Sequence, residues 1–282
     1  MPRHLTVLML CCSALLAPTL EADSDRNPLL ASTLTERGDL LGDVIELTAA
    51  DRRLLAVYRQ SLQPQARGAI LLLHAPGSNA DDSRVIRPLR LGLSDAGWNT
   101  LALQLPPAFA SDSPARWLTR NGLLNAQIDA GLTWLKTQGQ LNQVLLGVGA
   151  AASAALVRLG QNAPKEVRAL VLVSAPLVEA QRDLRNLTEL TVPVLDLYAE
   201  RDHADVTDAA PAKRRAAADS ANYSQRTVPG ALAGYQGTVG NLVGQVRNAV
   251  GFGFDQHNRR DHGFLHAGSG GRAYHSCHRR TT

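Results

Sequence analysis

The sequence predicts a three-layer α/β domain, a mostly parallel sheet with helices on both faces, entered through an antiparallel hairpin. Three observations lead there. Continuous aliphatic runs of strand length recur along the chain, and a run that is apolar at every position is buried on both sheet faces. Segments of helical period lie between those runs, and two short apolar stretches precede them all.

The hairpin is "DVIELTAADRRLLAVYRQS" (43–61), where Val44–Leu47 and Leu54–Tyr58 flank the polar "TAADRR". The strand series follows as "GAILLLHA" (68–75), "NTLALQLP" (99–106), "QVLLGVG" (143–149), "ALVLVSAP" (169–176) and "PVLDLYAE" (193–200). "NYSQRTVPG" (222–230) is a weaker final strand. Helical spacing marks 82–97, 115–139, 150–160 and 237–250; the third begins with small residues and becomes apolar later. Such alternation closes only with right-handed crossovers over a parallel sheet. With the hairpin in front, this is the plan of the α/β-hydrolase fold, and the length of 282 residues suits one such domain.

The two ends differ from the body. "MPRHLTVLMLCCSALLAPTLEADSD" sets Arg3 and His4 before an apolar run from Leu5 to Leu16, the layout of a secretory signal peptide cleaved after Ala22. That run is short for a bilayer span, so an uncleaved membrane anchor is the lesser alternative. Leu10 and Cys11, which precede Cys11 and Cys12, are not the small residue that a lipoprotein signal needs. The predicted boundaries are a signal peptide at 1–22, a polar lead-in at 23–42, the domain at 43–251 and a tail at 252–282. After cleavage only Cys277 remains, so no internal disulfide forms, and the expected destination is the periplasm or the medium.

The formal charge of +4 is misleading as a partner signal. Five arginines against two aspartates place +3 of it after residue 251, and the body shows no basic stripe, so nucleic acid is not an expected partner. The tail replaces aliphatic periodicity with His, Arg and Gly, the composition of a disordered segment or of a frameshifted reading frame. His262, His266, His275, Cys277 and His278 offer metal ligands, but "HSCH" is too close-set for a tetrahedral finger, so neither metal nor cofactor is expected.

In the α/β-hydrolase plan the nucleophile stands at a Gly-x-Ser-x-Gly turn after the central strand. Here the turn is Gly147-Val148-Gly149-Ala150-Ala151, with the small positions kept and no side chain at Gly149. "HAPGSNADDS" after the first parallel strand matches a His-Gly-x-Gly oxyanion loop at His74 and Gly77, with Ala75 replacing the first glycine. His74 is expected to orient that loop, whose partner in an oxyanion hole is the N–H of Ala150. Asp202 in "VPVLDLYAERDHAD" occupies the place of the triad acid, whereas Asp196 lies within the strand and is expected to face packing or a helix end. The histidine belongs in "VPGALAGYQG" (228–237), and Ala233 stands there instead.

Substitute groups are weak. Ser153 lies a turn into the helix, Ser174 is expected to cap a loop, and Ser78 and Ser83 have no visible base. His257, His262 and His266 follow the last helix, which at about 1.5 Å per residue carries them about 20 Å from the elbow.

"ARGAILLLHAPGSNADDSRVIRPLRLGLSDAGWNTLALQLP" (66–106), followed in order by "LLGVGAAA", "PVLDLYAERD" and "VPGALAGYQG", resembles an uncharacterised bacterial family of exported α/β-hydrolase-like proteins. The likeness covers about residues 40 to 250 and implies the fold and export, without a substrate. It implies a Gly-His-Gly type of elbow at Val148 and Gly149 and an Asp-His pair at Leu232 and Ala233; both departures here remove polar side chains. The expectation is a hydrolase-fold protein with a degenerate triad, holding a small apolar ligand or a partner protein above the strand C-terminal ends. A weakly active envelope esterase with a non-standard site is the alternative.

Overall fold

Strand β1 (Asp43–Ala49) turns directly into β2 (Arg52–Arg59) through Ala50 and Asp51 alone, both at positive φ (47° and 61°). Two such residues make the turn whose twist matches an antiparallel pair. The pairing runs from Asp43 opposite Tyr58 to Ala49 opposite Arg52. The remaining strands are β3 (Gly68–Leu73), β4 (Trp98–Leu103), β5 (Gln143–Val148), β6 (Val167–Val173), β7 (Val194–Arg201) and β8 (Tyr223–Leu232). They form one sheet in the order β1-β2-β4-β3-β5-β6-β7-β8, in which β2 meets β4 antiparallel and every later pair is parallel. This computed structural model describes residues 40–109, 111–120 and 122–253; the segment expected to be a signal peptide, nearly all of the expected lead-in and all but the start of the expected tail lie outside them.

The helices are α1 (Ile86–Asp95), α2 (Pro114–Arg120), α3 (Leu124–Thr137), α4 (Ala150–Gln161), α5 (Ala180–Glu189), α6 (Ala204–Ala216) and α7 (Val239–Asn248), the last ending in a π turn (Ala249–Gly253). Alternate residues of the aliphatic strands feed two cores. Leu71, Leu73 and Leu145 pack beneath Trp117, Ile128, Leu132 and Leu156. Ile70, Leu72, Val144 and Leu146 pack against Leu89, Leu93, Leu242 and Val246 on the other face. Each fully buried aliphatic side chain contributes roughly 1.5–3 kcal/mol, so the sheet is held from both sides.

The single helix expected at 115–139 is two, α2 and α3, separated around Gly122, a residue that weakens a helix by about 1 kcal/mol relative to alanine. Helices α5 and α6 are not among the helices expected from the sequence, and each buries a charged side chain. In α5 the buried side chains are Asp183 and Leu187, and Asp183 reaches back to accept the N–H groups of Val178 (2.8 Å) and Glu179 (3.1 Å). In α6 the buried face is Val206, Ala209, Ala210 and Lys213, with Pro211 inside the helix.

From β3 the chain moves outward to β4, then returns to lay β5 on the other side of β3. The loops leaving β3 and β5 therefore diverge, and ligands of open α/β sheets bind in the crevice that such a divergence opens at the strand ends. Among the described residues no helix is long and apolar enough to cross a membrane.

Candidate functional site

The elbow is built by close approach. A Cβ on Gly147 would stand 2.5 Å from Ala152 Cα and 2.8 Å from Ala151 O, both backbone atoms that cannot step aside. Only glycine lets α4 lie so near the end of β5. Gly149 then turns the chain at φ 60°, ψ −136°, a conformation L-residues rarely adopt, and caps α4 without a side chain. Its N–H is bonded to Val173 O at 2.8 Å, which fixes the tip beside β6. A Cβ at this tip would lie 3.3 Å from Ala75 Cβ, so the elbow and the β3 loop face each other at the crevice.

That loop is a tight turn. Ala75-Pro76-Gly77-Ser78 closes with Ser78 N–H donating to Ala75 O (3.0 Å), and Gly77 takes φ 77°, as the third residue of a Pro-Gly turn requires. His74 is buried, and its Nε2 accepts the Leu105 N–H at 2.9 Å. Its Nδ1 therefore carries the proton and donates to Ala75 O at 2.8 Å. Burial lowers its pKa to about 4, so the ring is neutral near pH 7 and ties the loop after β3 to the loop after β4. Ser78 donates to Asp82 (2.7 Å), and Ser83 is exposed.

Asp202, just past β7, is fully engaged. Its Oδ2 accepts Ser174 Oγ (2.5 Å) and the Ala199 N–H (2.9 Å), and its Oδ1 accepts the His203 N–H (2.9 Å). Ser174 sits at the end of β6 with φ 50°, and its Oγ lies 2.9 Å from the Tyr235 hydroxyl. The carboxylate only accepts, so Ser174 gives its one hydrogen to Asp202 and Tyr235 donates to Ser174. Burial holds the Tyr235 phenol protonated against the opposing pull of the Ser174 bond, and the Asp202 charge adds to burial. The chain Tyr235→Ser174→Asp202 thus ties the loops after β6, β7 and β8 together.

Ala233 is in the last of these loops, and its N–H donates to Arg201 O at 3.0 Å, beside Asp202. The structure therefore brings positions 202 and 233 together, and 149 and 75 together, with Ser174 beside the tip. Tyr235 escaped the sequence reading. A lone aromatic in "AGYQG", within a chain only 4% aromatic, was the signal available. Its backbone is at φ 58° and its ring is buried.

Support comes from below. Asp196 and Lys213 form a buried pair at 2.8 Å, and Lys213 Nζ also donates to Ala175 O at 2.9 Å, pinning the residue after Ser174 onto α6. Tyr223 (2.6 Å) and Gln225 (2.9 Å) complete the shell on Asp196 Oδ2. Ser153 is buried in α4 and donates to Pro176 O at 2.8 Å. His203 is exposed at the start of α6, and its ring makes no hydrogen bond among the described residues. No group of three or more His, Cys, Asp or Glu side chains among the described residues stands close enough to hold a metal. The tail histidines and Cys277 lie outside the described residues.

A hairpin-led, mostly parallel eight-stranded sheet with an elbow after β5 defines an α/β-hydrolase fold, and solved structures agree. Est1E from Butyrivibrio proteoclasticus is similar with a TM-score of 0.59 at 14% identity, over 74% of this chain and 97% of that one. A putative α/β hydrolase of unknown function from Agrobacterium tumefaciens gives 0.58 at 16%, over 79% and 98%. Dienelactone hydrolase from Anabaena variabilis gives 0.57 at 19%, over 77% and 97%. At such identities the likeness is one of fold. No curated protein matches the sequence. The chain belongs to the DUF3530 family of proteins of unknown function, whose model matches residues 12–122 and 109–248.

Proposed function

We propose that this chain is an exported α/β-hydrolase-fold protein that does not turn over esters through a serine triad, and that it holds a small apolar ligand or a partner protein above the strand C-terminal ends. The observation that carries the reading is Gly149, a tip with hydrogen where the fold presents its nucleophile. Two further features support it. The loop from Ala233 to Thr238 contains no imidazole, and Asp202 spends its acceptor oxygens on Ser174 and two backbone N–H groups. Removing nucleophile and base forfeits nearly all of a triad's rate, so the fold alone does not supply turnover.

The test is a panel of nitrophenyl esters of increasing acyl length, run on the mature protein beside the Gly149→Ser, Ala233→His double variant. Wild type is expected at the rate of a heat-denatured control, with the double variant above it. Wild-type turnover that persists in Asp202→Ala and Ser153→Ala variants would sink the proposal. Export is tested separately by sequencing the amino terminus of protein recovered from the periplasm, where a start at Asp23 is expected.

A further inference from the structure

A cavity that this reading leaves unused lies at the opposite end of the sheet. It measures about 660 Å³ and opens beside the first residues of β3 and β4 and the end of α7. Its walls include Gln65, Arg67, Trp98, Arg247, Asn248 and Gly251. We infer that it is a binding site for a small organic anion, a phosphate or carboxylate head on an apolar body.

Charge comes first. Two guanidinium groups line the cavity, no acidic side chain does, and neither Arg67 nor Arg247 has an ion-pair or side-chain hydrogen-bond partner among the described residues. The side-chain amides of Gln65 and Asn248 are likewise without partners there, so the wall presents open donors. A competing explanation is that both arginines serve the negative end of α7. A cation there gains up to about 1 kcal/mol. Arg67 NH1 does come within 3.9 Å of where a Cβ on Gly251 would sit, yet among the described residues neither guanidinium donates to a carbonyl at that helix end. The forked donors remain available, and a guanidinium matches a carboxylate or phosphate in two parallel bonds.

Shape comes second. Pro64, Ala96 and Trp98 give the cavity an apolar floor, and Gly251 keeps it open next to Arg67. The volume falls within the range of about 300–1,000 Å³ typical of small-molecule sites, and a concave wall selects a soluble molecule over a flat lipid surface.

Calorimetric titration of the full-length protein with phenyl phosphate tests this, with inorganic phosphate and phosphatidylglycerol vesicles as parallel arms. Phenyl phosphate is expected to bind saturably, more tightly than inorganic phosphate, and to weaken at least about tenfold in the Arg67→Ala, Arg247→Ala double variant. Both arginines are exposed, so a thermal melt of the variant is expected to match wild type. Binding should be unchanged in Gly149→Ser, which separates this site from the elbow. A flat isotherm, equal affinity in the arginine variant, or vesicle association without phenyl phosphate binding would overturn the inference.

Discussion

At position 149 the backbone sits at φ 60°, ψ −136°, and a Cβ there would press on Ala75 at 3.3 Å. A side chain in that region costs on the order of 1–3 kcal/mol, so Gly149→Ser is expected to lower the urea midpoint by a measurable but tolerable amount. Gly147→Ala is a harsher change, because its Cβ meets the backbone of α4 at 2.5 Å. We expect it to cost about 3 kcal/mol or more, or to prevent folding, in the same denaturation assay. His74 gives a pH signature. Its folded pKa of about 4 lies below the ordinary 6.5, so the unfolded chain binds the extra proton between those values. Stability is full above pH 6.5 and falls as the pH drops towards 4, by about 3 kcal/mol at 1.36 kcal/mol per unit. Comparing wild type with His74→Asn across that window isolates the effect: the variant's curve should be flatter. Gly149, Ala75 and Asp202 were legible in the sequence because their places follow from strand ends. Tyr235 was not, since its partner Ser174 is 61 residues away and nothing local announces the bond.

The loops after β6, β7 and β8 act as one unit through Tyr235, Ser174 and Asp202. Tyr235→Phe removes a single donor and is expected to cost about 1 kcal/mol. Ser174→Ala leaves the buried Tyr235 hydroxyl without a partner and is expected to cost more, about 1–3 kcal/mol. A double-mutant cycle read by urea unfolding checks the coupling, and additive losses would contradict it. Beneath them, Lys213→Met strands the buried Asp196 charge, and a loss of about 3–5 kcal/mol is expected in the same assay. The sequence showed the strands at this scale well, because unbroken aliphatic runs have no other soluble use. It showed α5 and α6 poorly: the inner face of one rests on Asp183 and Leu187, and the other carries Pro211 and a buried lysine. In α5 an apolar stripe of Leu184, Leu187 and Leu190 is present, but it is short and set among charged residues.

For the whole molecule, the hairpin and the succession of strands along the chain are legible in the sequence, whereas their order across the sheet, with β4 between β2 and β3, appears only in the fold. What the sequence left dark was the cavity at the far end, since Gln65, Trp98 and Arg247 come from three segments that only the fold assembles. The fold is the α/β-hydrolase fold, and its tip at Gly149 carries no side chain. Intact-mass analysis after exposure to a fluorophosphonate ester most directly tests the proposal of no serine-triad turnover, because the reagent captures an activated serine whatever its substrate. Wild type should remain unmodified under conditions that label an authentic serine esterase to completion. A stoichiometric adduct that forms on native protein but not on protein unfolded beforehand, mapped to Ser174, Ser153 or any other serine, would contradict it.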